Sequence, residues 1–265
     1  MGGKIKRAVI LAGGFGTRLA EETDIKPKPM VEIGGKPILW HIMKYYSSQG
    51  VYEFIICGGY KVHKIKEFFA DYSLHVNNVT IDLSGSMPSV IIHETTAEPW
   101  KIHIIDTGYS SQTGERIRQI QRYVCGDSFF LTYGDGLSDV NLKELEQAHN
   151  RSGKMVTLTA VEPPGRYGAL KLTNNDVVTS FQEKADSQDA WINGGFFVVS
   201  PSVFPFLQDR ENLSWEFDIL PLLASNNQLS AFKHRGFWQP MDTLRDKHKL
   251  ESLWADSCAP WRAWQ

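Results

Sequence analysis

The sequence lacks features that mark several classes of protein. Its three cysteines, Cys57, Cys125 and Cys258, lie far apart in 265 residues without a C-x-x-C pair. This pattern is typical of reduced thiols and argues against a disulfide framework or a zinc site. No apolar run approaches the roughly 18 residues of a membrane-spanning helix, and Ala8 to Ala12 is too short for a signal peptide. We therefore expect a cytoplasmic protein without a membrane segment.

An excess of charge of one sign is also lacking. Lys and Arg number 28, Asp and Glu number 30, and the formal net charge is −2. Such a balance argues against a protein that binds nucleic acid or anionic membrane through bulk positive charge. A local basic pocket for one anionic substrate remains compatible with it. Hydrophobic residues make up 42% and charged residues 22%, which is typical of a globular protein.

Strand and helix signals alternate through the first half of the chain. We predict buried strands at 6–12, 54–57, 128–133 and 155–160, and helices at 37–49, 61–70, 113–123 and 141–151. This alternation predicts an α/β fold, a mostly parallel Rossmann-like sheet with helices on both faces. Shorter strands at 168–199 favour a smaller β-rich lobe, and helices return at 214–226 and 243–254. Without a linker or an internal repeat, residues 1–265 are expected to form a single domain.

Two glycine clusters follow predicted strands. Gly13-Gly14-Phe15-Gly16 comes after the first strand, and Gly134-Asp135-Gly136 follows a later one. Ligands of such sheets bind at the carboxyl ends of the strands, so both clusters are expected at one ligand site. The first cluster is not a Rossmann fingerprint, because Leu19 stands where the third glycine belongs, and no Walker A Gly-Lys-Ser/Thr follows it.

Basic residues follow the first glycine cluster. Arg18 offers a planar fork for phosphate oxygens. In Lys26-Pro27-Lys28-Pro29 the prolines are expected to hold the chain extended and to present the lysines on a stiff strip. The residues alone leave a second interpretation open, in which this segment is a solvated basic loop between a strand and a helix.

Ordered sequence blocks along nearly the whole chain resemble those of the sugar nucleotidyltransferases. The blocks are Leu11-Ala-Gly-Gly-Phe-Gly-Thr-Arg-Leu19, Lys28-Pro-Met30, Val31-Glu-Ile-Gly-Gly-Lys-Pro37, Glu98-Pro-Trp-Lys101, Asp106-Thr-Gly108, Thr132-Tyr-Gly-Asp-Gly136, Pro163-Pro-Gly-Arg-Tyr-Gly168, Ser180-Phe-Gln-Glu-Lys184, Ile192-Asn-Gly-Gly195 and Gly236-Phe-Trp-Gln-Pro-Met-Asp-Thr243. The resemblance implies the nucleotide-diphospho-sugar transferase type of fold.

The resemblance is greatest to family members that use CTP and glucose 1-phosphate. It implies attack by a sugar-phosphate oxygen on the α-phosphorus of CTP, with Mg²⁺ as cofactor and with CDP-glucose and pyrophosphate as products. It also implies a homo-oligomer whose product is used in the synthesis of bacterial surface polysaccharide. Because both substrates are anionic, positioning and electrostatic stabilisation should provide most of the catalysis.

The resemblance also implies roles for particular residues, carried over to the matching positions of this chain. Arg18 and Lys28 would be catalytic, and Asp135 and Asp242 would hold the metal. The nucleotide would be bound by Leu11, Gly13, Gly14, Gly16, Thr17, Thr107, Gly108 and Arg116. The sugar phosphate would be bound by Gly168, Glu183, Lys184 and Asn193. On the residues alone, Asp135 is equally typical of a turn and Asp242 of a helix N-cap.

One position departs from the cytidylyl-transferring members. Glu115 in Thr113-Gly-Glu-Arg116 stands where they tend to carry glycine, which leaves another nucleotide or another sugar 1-phosphate open. A solvated position in the first helical turn is the simpler interpretation of Glu115. A glycosyltransferase is disfavoured because the chain has no Asp-x-Asp motif. A non-catalytic binding subunit is disfavoured because none of the charged site residues is missing.

Overall fold

The chain folds around one central sheet with helices on both faces. The computed structural model describes residues 4–124, 126–162, 169–172, 178–182, 191–208 and 211–264. The strands are β1 (Arg7–Ala12), β2 (Glu32–Ile33), β3 (Lys36–Pro37), β4 (Glu53–Gly58), β5 (Val79–Asp82), β6 (Ser89–Ile92), β7 (Lys101–Asp106), β8 (Phe129–Tyr133), β9 (Gly136–Ser138), β10 (Val156–Val161), β11 (Ala169–Leu172), β12 (Val178–Gln182), β13 (Ile192–Val199), β14 (Leu229–His234) and β15 (Trp238–Pro240). The helices are α1 (Ala20–Thr23), α2 (Ile38–Ser48), α3 (Val62–Ala70), α4 (Tyr72–Val76), α5 (Thr113–Gln119), α6 (Leu142–Ser152), α7 (Leu220–Ser225) and α8 (Leu244–Ala255).

Seven strands form the central sheet in the order β14-β10-β13-β8-β1-β4-β7. β1 pairs in parallel with both β4 and β8, β4 with β7, and β10 with β14. β13 pairs antiparallel with β8 and β10, so it runs against the other six strands of this sheet. The predicted α/β fold with a mostly parallel sheet is confirmed.

The central strands are buried on both faces, which explains their continuous apolar sequences. Side chains of β1 alternate between two cores: Ala8 and Ile10 face one, whereas Val9 and Leu11 face the other. Helix α2 covers the first core with its apolar face. β1 is therefore fixed at the centre of the molecule, and the loop that follows it starts from a rigid position.

Some predicted helices have different limits in the structure. The segment predicted as 113–123 is helix α5 followed by a 3₁₀ turn at Gln121–Tyr123. The segment predicted as 214–226 begins with a π-helical turn, Trp215–Ile219, and continues as α7. Helix α8 has Thr243 as its N-cap, in a capping box with Asp246. Capping therefore does not require Asp242, and the alternative N-cap role for this residue is wrong.

The short strands form separate two-stranded sheets. β11 pairs with β12 within the segment predicted as β-rich, whereas β13 joins the central sheet. β5 and β6 form another hairpin. At the C-terminal end, Trp261 is fully buried and packs beside Trp254. In the described parts of the chain, no helix is both long and apolar enough to cross a membrane.

Candidate active site

A cavity of about 600 Å³ opens at the carboxyl ends of β1 and β8. The glycine loop after β1 and the Gly134-Asp135-Gly136 turn after β8 meet there because these two strands are paired neighbours. Predicted residues that line the cavity are Leu11, Gly13, Gly14, Gly16, Thr17, Arg18, Lys28, Arg116, Asp135 and Asp242. The sheet order therefore brings both glycine clusters to one site, as their positions after the strands predict.

Two glycines in the first loop are required by close contacts. Gly16 has a φ of +65°, and a Cβ atom there would lie 3.0 Å from the Cβ of Lys28. A Cβ atom on Gly13 would lie 2.2 Å from the guanidinium carbon of Arg116. A larger residue at either position would displace one of these two cations, so the glycines set the shape of the loop.

Lys28 joins the two candidate metal ligands. Its ammonium donates to Asp135 Oδ2 at 2.6 Å and to Asp242 Oδ1 at 2.8 Å. The second carboxylate oxygen of Asp242 accepts from Arg18 at 3.0 Å. Lys28 is 8% exposed, whereas the Arg18 side chain is 72% exposed. Two cations and two carboxylates from distant parts of the chain thus form one ionic cluster at the cavity wall.

The position of Lys28 differs from the expected extended strip. Lys28–Met30 forms a 3₁₀ turn with the extended Pro27 before it, and this turn directs the Lys28 side chain inward. Lys26 instead pairs with Glu32 at the surface, at 2.9 Å. Burial alone would lower the pKa of Lys28, but Asp135 and Asp242 outweigh it and raise that pKa. Lys28 is therefore a fixed positive charge at neutral pH.

The carboxylates of Asp135 and Asp242 by themselves could fill only part of the coordination shell of Mg²⁺. Both contact the same ammonium, and both line the cavity. Among the described residues, no group of three or more His, Cys, Asp and Glu side chains could hold a metal ion. Mg²⁺ commonly binds one or two carboxylates, with phosphate oxygens and waters completing the shell. The donor set therefore fits Mg²⁺ that arrives with a phosphate-bearing substrate.

Arg116 holds three loops together. Its guanidinium donates to the carbonyl oxygens of Gly13 at 3.0 Å, Gly58 at 2.9 Å and Gly108 at 2.9 Å. It also donates to the Thr107 hydroxyl at 2.6 Å. These groups follow or end β1, β4 and β7. Arg116 is 4% exposed. Thr107 and Gly108, which were also predicted to bind the nucleotide, are not among the described residues that line the cavity.

Glu115 is not a solvated helix residue, contrary to the simpler expectation. It is buried, and its carboxylate forms two hydrogen bonds with the Arg118 guanidinium, at 2.7 and 2.8 Å. Gln119 donates a third at 2.9 Å. These bonds lower the pKa of Glu115. The carboxylate is therefore engaged on its own helix, and Glu115 is not among the described residues that line the cavity.

A smaller cavity of about 60 Å³ adjoins the first and contains Asn193. The two cavities share Tyr133, Asp135, Trp238 and Pro240. Asn193, on β13, thus lines the same small cavity as Asp135 of the ionic cluster. The other residues predicted for the sugar phosphate, Gly168, Glu183 and Lys184, lie outside the described residues.

Tyr133 and Glu216 are among the polar residues of the main cavity that sequence reasoning missed, together with Ser111, Gln112, Thr113 and Ser214. The Tyr133 hydroxyl donates to one Glu216 oxygen, and Thr113 and Ser214 donate to the other. Burial, reinforced by Glu216, raises the pKa of Tyr133. Tyr133 belongs to a quoted sequence block and could have been selected. Glu216 could not, because its π-helical turn has the sequence of an ordinary helix start.

The fold and these residues agree with the comparison to known proteins. The chain belongs to the Nucleotidyl transferase family, which matches residues 7–256. It is 54% identical over 260 residues to glucose-1-phosphate cytidylyltransferase of Salmonella typhimurium, an alignment that covers 98% of this chain and 100% of that protein. It is 41% identical over 258 residues to a probable glucose-1-phosphate cytidylyltransferase of Bacillus subtilis, covering 97% and 100%.

Solved structures show the same fold. HddC from Yersinia pseudotuberculosis matches with a TM-score of 0.69 and 25% identity, covering 94% of this chain and 100% of that one. UDP-glucose pyrophosphorylase complexed with UDP-glucose matches with a TM-score of 0.66 and 15% identity, covering 96% and 100%. The second likeness concerns the fold alone. Both place the chain among proteins with a nucleotide-diphospho-sugar transferase fold.

Proposed function

We propose that the chain transfers the cytidylyl group of CTP to glucose 1-phosphate and releases CDP-glucose and pyrophosphate. The observation that carries the proposal is the ionic cluster of Arg18, Lys28, Asp135 and Asp242 beside a glycine loop. The near full-length similarity to glucose-1-phosphate cytidylyltransferases supports the choice of substrates. The position of Glu115, engaged by Arg118, removes the main reason to expect a different nucleotide.

In the proposed reaction a phosphate oxygen of glucose 1-phosphate attacks the α-phosphorus of CTP. A new P–O bond forms as the bond to the β-phosphate oxygen breaks, and pyrophosphate leaves. Lys28 and Arg18 lie where they can hold phosphate oxygens and neutralise their charge in the transition state. The glycine loop, with Leu11, Gly13, Gly14, Gly16 and Thr17, would bring backbone N–H groups close to the nucleotide.

Asp135 and Asp242 would hold Mg²⁺ together with substrate phosphate oxygens. The bound metal would neutralise phosphate charge and help to orient the two substrates. Lys28 bridges the two carboxylates in the present structure, so a substrate phosphate could take over part of its hydrogen bonding. Asn193, with Gly168, Glu183 and Lys184, is proposed for the sugar phosphate. Thr107, Gly108 and Arg116 are proposed for the nucleotide pocket, which Arg116 would shape by holding the carbonyls of Gly13, Gly58 and Gly108.

We further propose that residues 1–265 act as a single domain within a homo-oligomer in the cytoplasm. The β5–β6 hairpin supports the oligomer, because a lone two-stranded hairpin is at best marginally stable. One of its faces presents Ile81, Val90 and Ile92, and Ile81 is 59% exposed. A second copy of the chain would cover this face. Light scattering after gel filtration measures the assembly, and a monomer would contradict it.

Pyrophosphate release tests the function. The assay would use Mg²⁺ and compare CTP, UTP, dTTP, GTP and ATP, each with a panel of sugar 1-phosphates. We expect release with CTP and glucose 1-phosphate, and none without the sugar phosphate or after chelation of Mg²⁺. Preference for another pair would overturn the substrates but keep the chemistry. No release with any pair would favour a non-catalytic binding subunit.

A further inference from the structure

Glu216 needs an explanation because it is a carboxylate in a cavity proposed to bind two anionic substrates. The same cavity contains Arg18 and Lys28, which suit phosphate oxygens. A carboxylate repels phosphate, but it accepts hydrogen bonds from hydroxyl groups. Its presence therefore indicates a function other than holding the triphosphate.

The protein fixes the Glu216 carboxylate through both of its oxygens. One accepts from the Tyr133 hydroxyl, and the other accepts from the hydroxyls of Thr113 and Ser214. Ser214 also caps the π-helical turn that carries Glu216, and Trp215 donates its backbone N–H to Thr113. π-helical turns of this kind occur frequently at functional sites. Glu216 is thus held rigidly against α5 and aimed at Tyr133.

Tyr133 connects Glu216 to the smaller cavity, because it lines both cavities. Its hydroxyl oxygen faces the Asn193 side-chain amide, which donates to it over 3.4 Å. Its ring packs against Gly195, where a Cβ atom would lie 2.5 Å from a ring carbon. Asn193 in turn accepts from the Gly195 backbone N–H at 2.9 Å. The Asn193 amide is therefore oriented from two sides, by the Gly195 N–H on its oxygen and, more weakly, by the Tyr133 hydroxyl on its nitrogen.

We propose that Glu216 is a positioning residue for the sugar phosphate, acting through Tyr133 on Asn193. The inference rests on the proposed function, because it takes Asn193 as a contact to the sugar. Because the Tyr133 hydroxyl donates its hydrogen to Glu216, the lone pairs of its oxygen are left for the Asn193 amide. Glu216→Gln would remove the charge and leave one acceptor oxygen for the three hydroxyls of Tyr133, Thr113 and Ser214. The hold on Tyr133 would weaken, and Asn193 would lose its fixed orientation.

Steady-state kinetics of the full-length enzyme test the inference. For Glu216→Gln we expect KM for glucose 1-phosphate to rise about tenfold, the size of one lost charge-assisted hydrogen bond. KM for CTP and kcat should stay within about twofold of wild type, the pattern of lost ground-state binding. Glu211→Gln, an exposed carboxylate nearby on the same segment, is the matched control and should change neither constant.

A double-mutant cycle separates action through Tyr133 from direct contact with the substrate. Tyr133→Phe alone should reproduce the rise in KM for glucose 1-phosphate, and adding Glu216→Gln to it should change little more. Equal rises in KM for both substrates would overturn the inference, as would a full Glu216→Gln effect in the Tyr133→Phe background. The ratios of variant to wild-type KM are measured with whichever sugar 1-phosphate the wild type accepts. Turnover by the wild type tests the proposed function, and the KM ratios of the variants test the role of Glu216.

Discussion

Lys28 and Arg116 are both buried cations at the same edge of the sheet, yet their surroundings differ. Lys28 pairs with two carboxylates at a cavity that is open to substrates. Arg116 donates to three backbone carbonyls and one hydroxyl, all neutral and all from loops of the protein itself. A substrate phosphate can replace a carboxylate partner of Lys28. Arg116 could turn to a substrate only by giving up its hydrogen bonds to the protein, which costs free energy.

The comparison teaches that a positive charge beside a phosphate site is not by itself a phosphate-binding group. The partners of the charge determine what it can do. Anionic partners keep Lys28 charged and available to exchange, whereas carbonyl partners make Arg116 a clamp on the loops after β1, β4 and β7. We expect substitution of the two residues to affect different measurements, catalysis for Lys28 and stability for Arg116.

Asp135→Asn should have the largest effect, because it removes an anionic partner of Lys28 and a proposed metal ligand together. We expect Mg²⁺-dependent turnover to fall by more than about 10³-fold, since a metal ion supplies several kcal/mol of transition-state stabilisation. Pyrophosphate release measures the loss, and circular dichroism checks that the fold is intact. Asp127→Asn, an exposed residue before the opposite end of β8, is the control. Unchanged turnover in Asp135→Asn would reject the metal assignment.

Lys28→Ala should lower kcat/KM by roughly 10²–10³-fold, the scale for one lost charge-stabilising donor. The matched control is Lys26→Ala, two residues away on the same proline-containing segment. Lys26 pairs with Glu32 at the surface, and such pairs contribute at most about 1 kcal/mol. Similar losses of kcat/KM in both variants would show that activity depends on the segment as a whole and not on the buried position of Lys28.

Arg116→Gln should act chiefly on stability. It removes the four hydrogen bonds by which the guanidinium joins Gly13, Gly58, Thr107 and Gly108, and we expect the free energy of unfolding to fall by about 2–4 kcal/mol. Denaturant titration measures this change, with Arg122→Gln as the exposed control. If stability is unchanged while KM for CTP rises strongly, Arg116 contacts the nucleotide directly, as the family resemblance implies, and its contrast with Lys28 disappears.

Much of the fold could be predicted from the sequence because its signals are local. Buried strands show as short apolar runs followed by glycines, as at β1 and β8. The sequence blocks around the glycine loop and around Asp135 also indicated the family, which the comparisons confirm. The limits of α5 and α7 were predicted less well, since tertiary contacts decide where the π-helical turn at Trp215–Ile219 replaces a regular helix.

The sequence by itself determined the alternation of strands and helices, the two glycine clusters at strand ends and the types of residue available there. Only the tertiary structure decided that Asp135 and Asp242 meet at Lys28, that Arg116 donates to the carbonyl of Gly13, and that Glu216 faces Tyr133. The contacts of Lys28 with Asp135 and Asp242, of Arg116 with Gly13 and of Glu216 with Tyr133 each join residues more than 80 positions apart. Such contacts follow from the order of strands in the sheet and from side-chain packing, and neither leaves a periodic signal in the chain.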